Sequence, residues 1–253
     1  KACGARNATA CGRSSRRLWA AQSIRSSVLQ VVGWAAMPRP PPDRNRSAPY
    51  SPAAGTGLSS HELNMPGAYK EVKDTTVVAL FKVIKNDQSS FLFDDPNEDV
   101  RIAAWTTTPW TLPSNTALCA GPDISYIKIK TSNPYTHTPV SVVLAEALVP
   151  NWFGGKNQST VEGQSAAFKG SKMKGIRYEP LLDFGNEIEP LLGGTDAYLV
   201  LTGDHVTTSD GTGIVHTAPS FGADDQRVAK ANGVGTLTLV DQTGKFKENV
   251  GPY

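Results

Sequence analysis

The chain has 253 residues, 39% apolar and 19% charged, which suits a globular protein with mass enough for one large domain or two small ones. Its longest largely apolar runs, such as 140–144 and 197–201, reach only strand length, far short of the roughly 18 apolar residues of a membrane-spanning helix, so no membrane partner is expected. The net charge of +2 hides a split: residues 1–47 balance at +8 and the other 206 residues at −6. A uniformly basic surface is excluded, and any contact with nucleic acid must run through local patches.

Residues 1–47 combine Arg, Ser and Ala with the tract PRPPP at 38–42, which disfavours helix and strand alike. This leader is expected to be disordered or foreign to the rest of the chain. Its Arg- and Ser-rich, acid-poor composition is also that of an organellar transit peptide. Cys3, Cys11 and Cys119 form no Cys-x-x-Cys pair, so neither a zinc ribbon nor a disulfide framework is expected. Cys119 reads as a small core residue, and the thin cysteine usage suits a reducing, cytoplasmic compartment.

Beyond residue 47 the texture changes. β-branched and apolar runs at 75–84, 101–107, 126–130, 140–144, 197–201, 213–216 and 237–240 read as strands, separated by Gly and Pro clusters. One stretch, FGADDQRVAKAN at 221–232, reads as a helix, with acids in its first turn and Gly233 as its stop. Residues 48–253 are therefore expected to form one α+β, mainly β domain, a compact β-barrel-like body with a few flanking helices.

Two segments could carry chemistry. In WTTTPWTLPSN (105–115), Pro109 forces Thr108 out of helical geometry, so several hydroxyls gather where a strand breaks into a turn. Such a cluster can orient a water or a ribose hydroxyl, although composition alone favours a threonine-rich strand edge with a proline stop. In DGTGIVHTAPSFGADD (210–225), a strand ends at His216, a tight loop follows, and a helix begins near Gly222. Asp224 and Asp225 also suit the positive end of that helix dipole. A metal held by His216 and the two aspartates lacks a second histidine, so none is expected. Gly211-x-Gly213 has no third glycine and is no nucleotide fingerprint.

Together, TTTPWTLPSN and GTGIVHTAPSFGADD resemble the paired signatures of the editing domain inserted into isoleucyl-tRNA synthetases. The resemblance runs from about residue 50 to 253, through LSSHELNMPGAYKEVKDTTV, GIRYEPLLDF and VDQTGKF. Related valyl and leucyl enzymes carry arginine where this chain has Thr108, and they lack the histidine that stands here as His216. The class I catalytic signatures His-x-Gly-His and Lys-Met-Ser-Lys-Ser are absent, and SKMK at 171–174 is a superficial echo. These residues are therefore expected neither to activate an amino acid nor to consume ATP.

The resemblance implies hydrolysis of valyl-tRNA(Ile), with the tRNA 3′ end as partner, no cofactor and a monomeric state. By the same likeness Asp225 pairs with the α-ammonium of the mischarged amino acid, and His216 limits the size of its pocket. Thr106, Thr107, Thr108 and Thr111 hold the terminal adenosine, the ester and the attacking water, with Asn115 supporting the loop. No strong base adjoins a nucleophilic Ser or Cys in the sequence, which speaks against a covalent triad. The alternative is a non-catalytic tRNA-binding or docking module of the same fold.

Overall fold

The computed structural model describes residues 18–22, 50–51, 55–66, 68, 76–133, 136–153, 160–182, 184–241 and 244–250. The expected boundary at residues 47 and 48 lies outside them, and so does most of the leader. One piece of the leader is described: β1 (Leu18–Gln22) pairs antiparallel with β4 (Thr76–Lys82) at the edge of the main sheet. A small pair, β2 (Tyr50–Ser51) with β3 (Thr56–Gly57), precedes the one-turn helix α1 (Ser60–Leu63). That turn is closed by a capping box between Ser59 and Glu62.

The main sheet then collects β5 (Val100–Thr106), β7 (Ser125–Ser132) and β8 (Pro139–Ala145), with short β9 (Gly163–Gln164) and β10 (Phe168–Lys169) pairing on β7. Its order is β1-β4-β5-β8-β7-β10, antiparallel except where β5 runs parallel to β8. A second sheet has β6 (Ala117–Ala120) at its centre, parallel to β11 (Leu199–Thr202) and antiparallel to β12 (Ile214–Thr217). Helix α2 (Val149–Trp152) follows β8, and α3 (Ala223–Ala231) follows β12.

Period-2 alternation decides what each face meets. On β4, Ala79 and Phe81 face the second sheet, and Val78 and Leu80 face away under Phe153. Leu118, Ala120, Val200 and Ile214 of the second sheet complete the shared core, with Tyr126, Met173 and Tyr178 filling it. Its opposite face, Ala117, Cys119 and Leu201, packs on Val228 and Ala229 of α3. Each large side chain fully buried in this way contributes roughly 1.5–3 kcal/mol.

The α+β, mainly β class holds. Both sheets are open and stacked face to face, and no closed barrel is formed among the described residues. β6 causes this, because it leaves β5 through a turn and takes its partners from far downstream. Residues 237–240 form no strand; only an isolated bridge, Val240 to Phe246, occurs there. No helix among the described residues is long and apolar enough to cross a membrane.

Candidate functional site

β5 ends at Thr106, and by alternation with Ile102 and Ala104 its side chain enters the space between the sheets. Pro109 then opens a 3₁₀ turn, Pro109–Ser114, with Thr108 as the residue before it. A proline at the first turn position costs no hydrogen bond, and Pro113 stops the turn from lengthening. The hydroxyls stack along this corner. Thr108 donates its N–H to Thr106 Oγ1 at 3.0 Å, and the Thr106 and Thr108 hydroxyls lie 3.3 Å apart. Thr108 and Thr111 hydroxyls are 3.4 Å apart, and Thr111 Oγ1 donates to the Thr108 carbonyl at 2.8 Å. Thr107, half-buried, makes no hydrogen bond among the described residues and keeps its hydroxyl free.

His216 arrives from the other sheet. Paired with Leu118 on β6, it shares the inward face, and its Nε2 lies 3.0 Å from Thr111 Oγ1. Thr111 has one hydroxyl proton, already committed to the Thr108 carbonyl, so it accepts from His216 and the histidine carries its proton on Nε2. Burial pushes the imidazole pKa down to about 4, so the ring is neutral near pH 7. Its Nδ1 is then a bare lone pair, buried and without a hydrogen-bond partner among the described residues.

Asn115 is the strut of the corner. Its amide nitrogen donates to the Ala117 carbonyl at 2.7 Å and its oxygen accepts from Tyr178 OH at 2.7 Å, tying the turn to β6 and to the central core. The amide is occupied by protein, so it supports the loop. Below it, the buried hydroxyls of Ser114, Thr116 and Thr217 have no partner among the described residues, a cost of about 1–3 kcal/mol each where nothing else satisfies them.

Two glycines seat β12. Gly211 (φ 74°) and Gly213 (φ 71°) lie in the left-handed region, and a Cβ would come within 2.7 Å of Trp105 and 2.4 Å of Ala145 respectively. Trp152 Nε1 donates to the Gly211 carbonyl at 2.7 Å and Tyr126 OH to the Gly213 carbonyl at 2.6 Å. The loop is thereby clamped to the main sheet and to α2, and His216 follows three residues later.

The adjacent acids of α3 part company. Asp224 is exposed and pairs with Arg227 at 3.1 Å. Asp225 turns inward, and its Oδ2 accepts the Ala218 N–H at 2.9 Å, bridging the helix to the end of β12. Burial raises the pKa of this carboxyl, while the Ala218 bond and His205 act against the rise. The structure thus joins Thr106, Thr108, Thr111 and His216 in one hydrogen-bonded chain. Asp225 is not part of it: its carboxylate accepts from the Ala218 N–H, beyond the strand end, on the α3 side.

No family profile matches the chain. Sequence comparison finds relatives: over 215 residues, 80% of its length, the chain is 48% identical to an isoleucine–tRNA ligase of Porphyromonas gingivalis. The chain is a segment of the isoleucine–tRNA ligase family. It spans 18% of the length of that relative. Among solved structures it is similar to GlLeuRS-CP1, with TM-score 0.47 and 18% identity over 61% of this chain and 59% of that one. It is also similar to the P. knowlesi cytosolic leucyl-tRNA synthetase editing domain, with TM-score 0.46 and 13% identity over 62% and 64%.

Sequence reasoning missed several supports of this isoleucine–tRNA ligase segment. Tyr178, whose ring sits edge-on to Phe81 at 5.1 Å, carries Asn115, and only its place in GIRYEPLLDF could have drawn notice. Trp105 and Trp152 brace the Gly211 loop across sequence separations that no local pattern reports.

Proposed function

We propose that this segment is a post-transfer editing module that hydrolyses the ester of valyl-tRNA(Ile) and spares isoleucyl-tRNA(Ile). The need is physical: one methylene is worth only ~1–3 kcal/mol, and isoleucyl-tRNA synthetase is the standard case in which a second, smaller site removes the product that slipped through. The observation that carries the reading is the hydrogen bond that a neutral, buried His216 donates to Thr111. It fixes the imidazole as a rigid wall, the role that a size limit on the amino acid asks of it.

In this reading the threonine corner receives the terminal adenosine and the ester, with the free Thr107 hydroxyl and the Thr108 hydroxyl nearest the attacking water. His216, with a pKa of about 4, is a weak base at neutral pH, so water is activated by position rather than by the imidazole. Asp225 takes the α-ammonium through a charge-assisted hydrogen bond that its remaining oxygen accepts. The 3′ end of tRNA(Ile) carrying valine is the partner, bound to a monomer.

The test is incubation of the purified chain with valyl- and isoleucyl-tRNA(Ile), with and without chelator. Release of valine alone, insensitive to chelator, is expected. Tight tRNA binding with no release would mark a docking module, and loss with chelator a metal-dependent hydrolase; either overturns the reading.

A further inference from the structure

Residues 163–178 carry Lys169, Lys172, Lys174 and Arg177 and no acid, within a stretch of 206 residues that balances at −6. The middle of this segment, SKMK at 171–174, has no part in the threonine corner. Met173 is fully buried in the shared core, while Lys172 and Lys174 on either side of it are exposed. The 3₁₀ turn Gly170–Met173 is fastened at several points. Gly170 donates its N–H to the Ile124 carbonyl at 2.9 Å, Ser171 to Pro122 at 3.0 Å, and Gly175 to Val200 at 2.8 Å. The lysines thus stand on a fixed backbone. A second loop, at 84–93, completes the surface. Gln88 Nε2 donates to the Lys174 carbonyl at 2.8 Å and the Ile84 N–H to the Arg177 carbonyl at 2.9 Å, so the two segments lie side by side.

Aromatic rings, not carboxylates, hold the ammonium groups here. Phe91, 38% exposed, meets Phe168 edge-on at 5.2 Å, and Lys172 Nζ lies 5.0 Å over its ring. Lys85 Nζ lies likewise 5.2 Å over Phe93. Lys85, Lys172 and Lys174 make no ion pair among the described residues. Lys169 reaches two neutral oxygens, the Asp123 carbonyl at 2.8 Å and Ser125 Oγ at 3.4 Å. Arg177 is taken up by Asp196, and Asp94 and Asp95, just beyond Phe93, act on Lys130. Four lysines against Asp87 and Asp123 leave the surface net positive. It stands at the opposite end of β5 and β6 from the threonine corner. β5 starts at Val100, whose carbonyl accepts the Val83 N–H beside the 84–93 loop, and ends at Thr106. β6 leaves the corner after Asn115 and ends at Ala120, next to Gly121, against whose carbonyl Gly170 is packed too closely for a Cβ. Six residues of strand span ~20 Å.

We propose that this lysine surface, with Lys85, Lys172 and Lys174 at its centre, binds the phosphate backbone of RNA ~20 Å from the threonine corner and holds the tRNA body while its 3′ end enters that corner. The proposal rests on the proposed function for the identity of the RNA. An ammonium laid over a ring, with no carboxylate to compete, is free to take a phosphate as a point charge. Contacts of this kind set position and add affinity without reading sequence. Because they lie on the same molecule as the ester, they also raise its effective concentration at the corner.

The experiment combines Lys172→Gln with Lys174→Gln in the full chain and uses uncharged tRNA(Ile) as the probe, with affinity read between about 50 and 200 mM salt. Affinity near 0.1 M salt is expected to fall ~10- to 50-fold, and the slope of log K against log salt to flatten by about 1.4–1.8, as for two lost phosphate contacts. Lys245→Gln with Lys247→Gln removes the same charge from another exposed place and is expected to stay within about twofold of the parent. In hydrolysis of valyl-tRNA(Ile) the Lys172 and Lys174 pair is expected to raise KM and keep kcat. Valyl-adenosine, which has no backbone to grip, is expected to be cleaved as by the parent. Equal losses from both lysine pairs would mark a diffuse field and overturn the proposal. So would a parent without tRNA affinity, or an unmoved affinity and slope, as when the surface serves an acidic protein instead. If the parent hydrolyses no valyl-tRNA while the Lys172 and Lys174 pair still weakens tRNA binding, the surface stands and the editing reading falls.

Discussion

At the scale of single residues, two neighbouring aspartates illustrate how context separates equal letters. Asp224 and Asp225 both suit a helix start, yet only Asp225 is turned onto the Ala218 N–H. Asp225→Ala is expected to lower valyl-tRNA kcat/KM by ~30-fold to several-thousand-fold, the equivalent of about 2–5 kcal/mol. Asp224→Ala loses only an exposed pair with Arg227, worth at most about 1 kcal/mol, and is expected to stay within about twofold. Equal losses from both would place the anchor elsewhere. His216 makes a prediction of a different kind. Its folded pKa of about 4 lies below the ordinary histidine value of 6.5. Between those values the unfolded chain binds a proton that the folded chain refuses. Stability is therefore fully present above about pH 6.5 and declines as pH falls toward 4, by on the order of 3 kcal/mol. His216→Ala is expected to flatten that decline in urea unfolding, and to begin hydrolysing isoleucyl-tRNA as the wall is lost. A variant with parental acid sensitivity contradicts the burial account, and one still inert to isoleucine contradicts the gatekeeper.

At the scale of elements, the strands that carry the site are held by a charged device on the far strands. Lys128 of β7 is 1% exposed. Its Nζ reaches Asp94 at 2.9 Å and Glu98 at 2.9 Å, while Ser141 on β8 donates to Glu98 at 2.5 Å. Lys130 and then Lys128 hold the Asp94 carboxyl down to about 2. This network pins the 94–99 loop against β7 and β8. Lys128→Ala leaves Glu98 half-paired in a desolvated place and is expected to cost about 3–5 kcal/mol in denaturant unfolding. Lys128→Met with Glu98→Gln removes both charges and is expected to recover most of that loss. Failure to recover would mean that lysine packing, not charge, is what counts. The same scale shows where sequence reading succeeds. β4, β5, β7, β8, β11, β12 and α3 are all legible, because alternation and helix punctuation are local. β6 is not. ALCA has no polar member to reveal an alternation, and both its faces are buried, so its strand character follows from partners that only the fold supplies.

For the whole molecule, the site frame comes from elements at 100 and beyond: β5, the proline turn, β6, β12 and α3. Residues 1–47 enter the described fold only as β1, whose loss would leave β4 as the sheet edge. A chain beginning at residue 48 is thus expected to deacylate valyl-tRNA as the parent does and to melt within a few degrees of it. A larger drop in midpoint would show that the β1 pairing carries stability. Two strings of residues, at 105–115 and 210–225, marked the candidate site through their resemblance to the paired editing signatures. Proline geometry, glycine conformations and hydroxyl chemistry are properties of short stretches, and they survive being read one after another. What sequence could not decide is who meets whom. That Thr111 meets the Nε2 side of His216 and that Asn115 rests on Tyr178 both depend on stacking two sheets face to face. Each contact closes a loop of many residues, and its free energy resides in burial and pairing that exist only once the chain has folded.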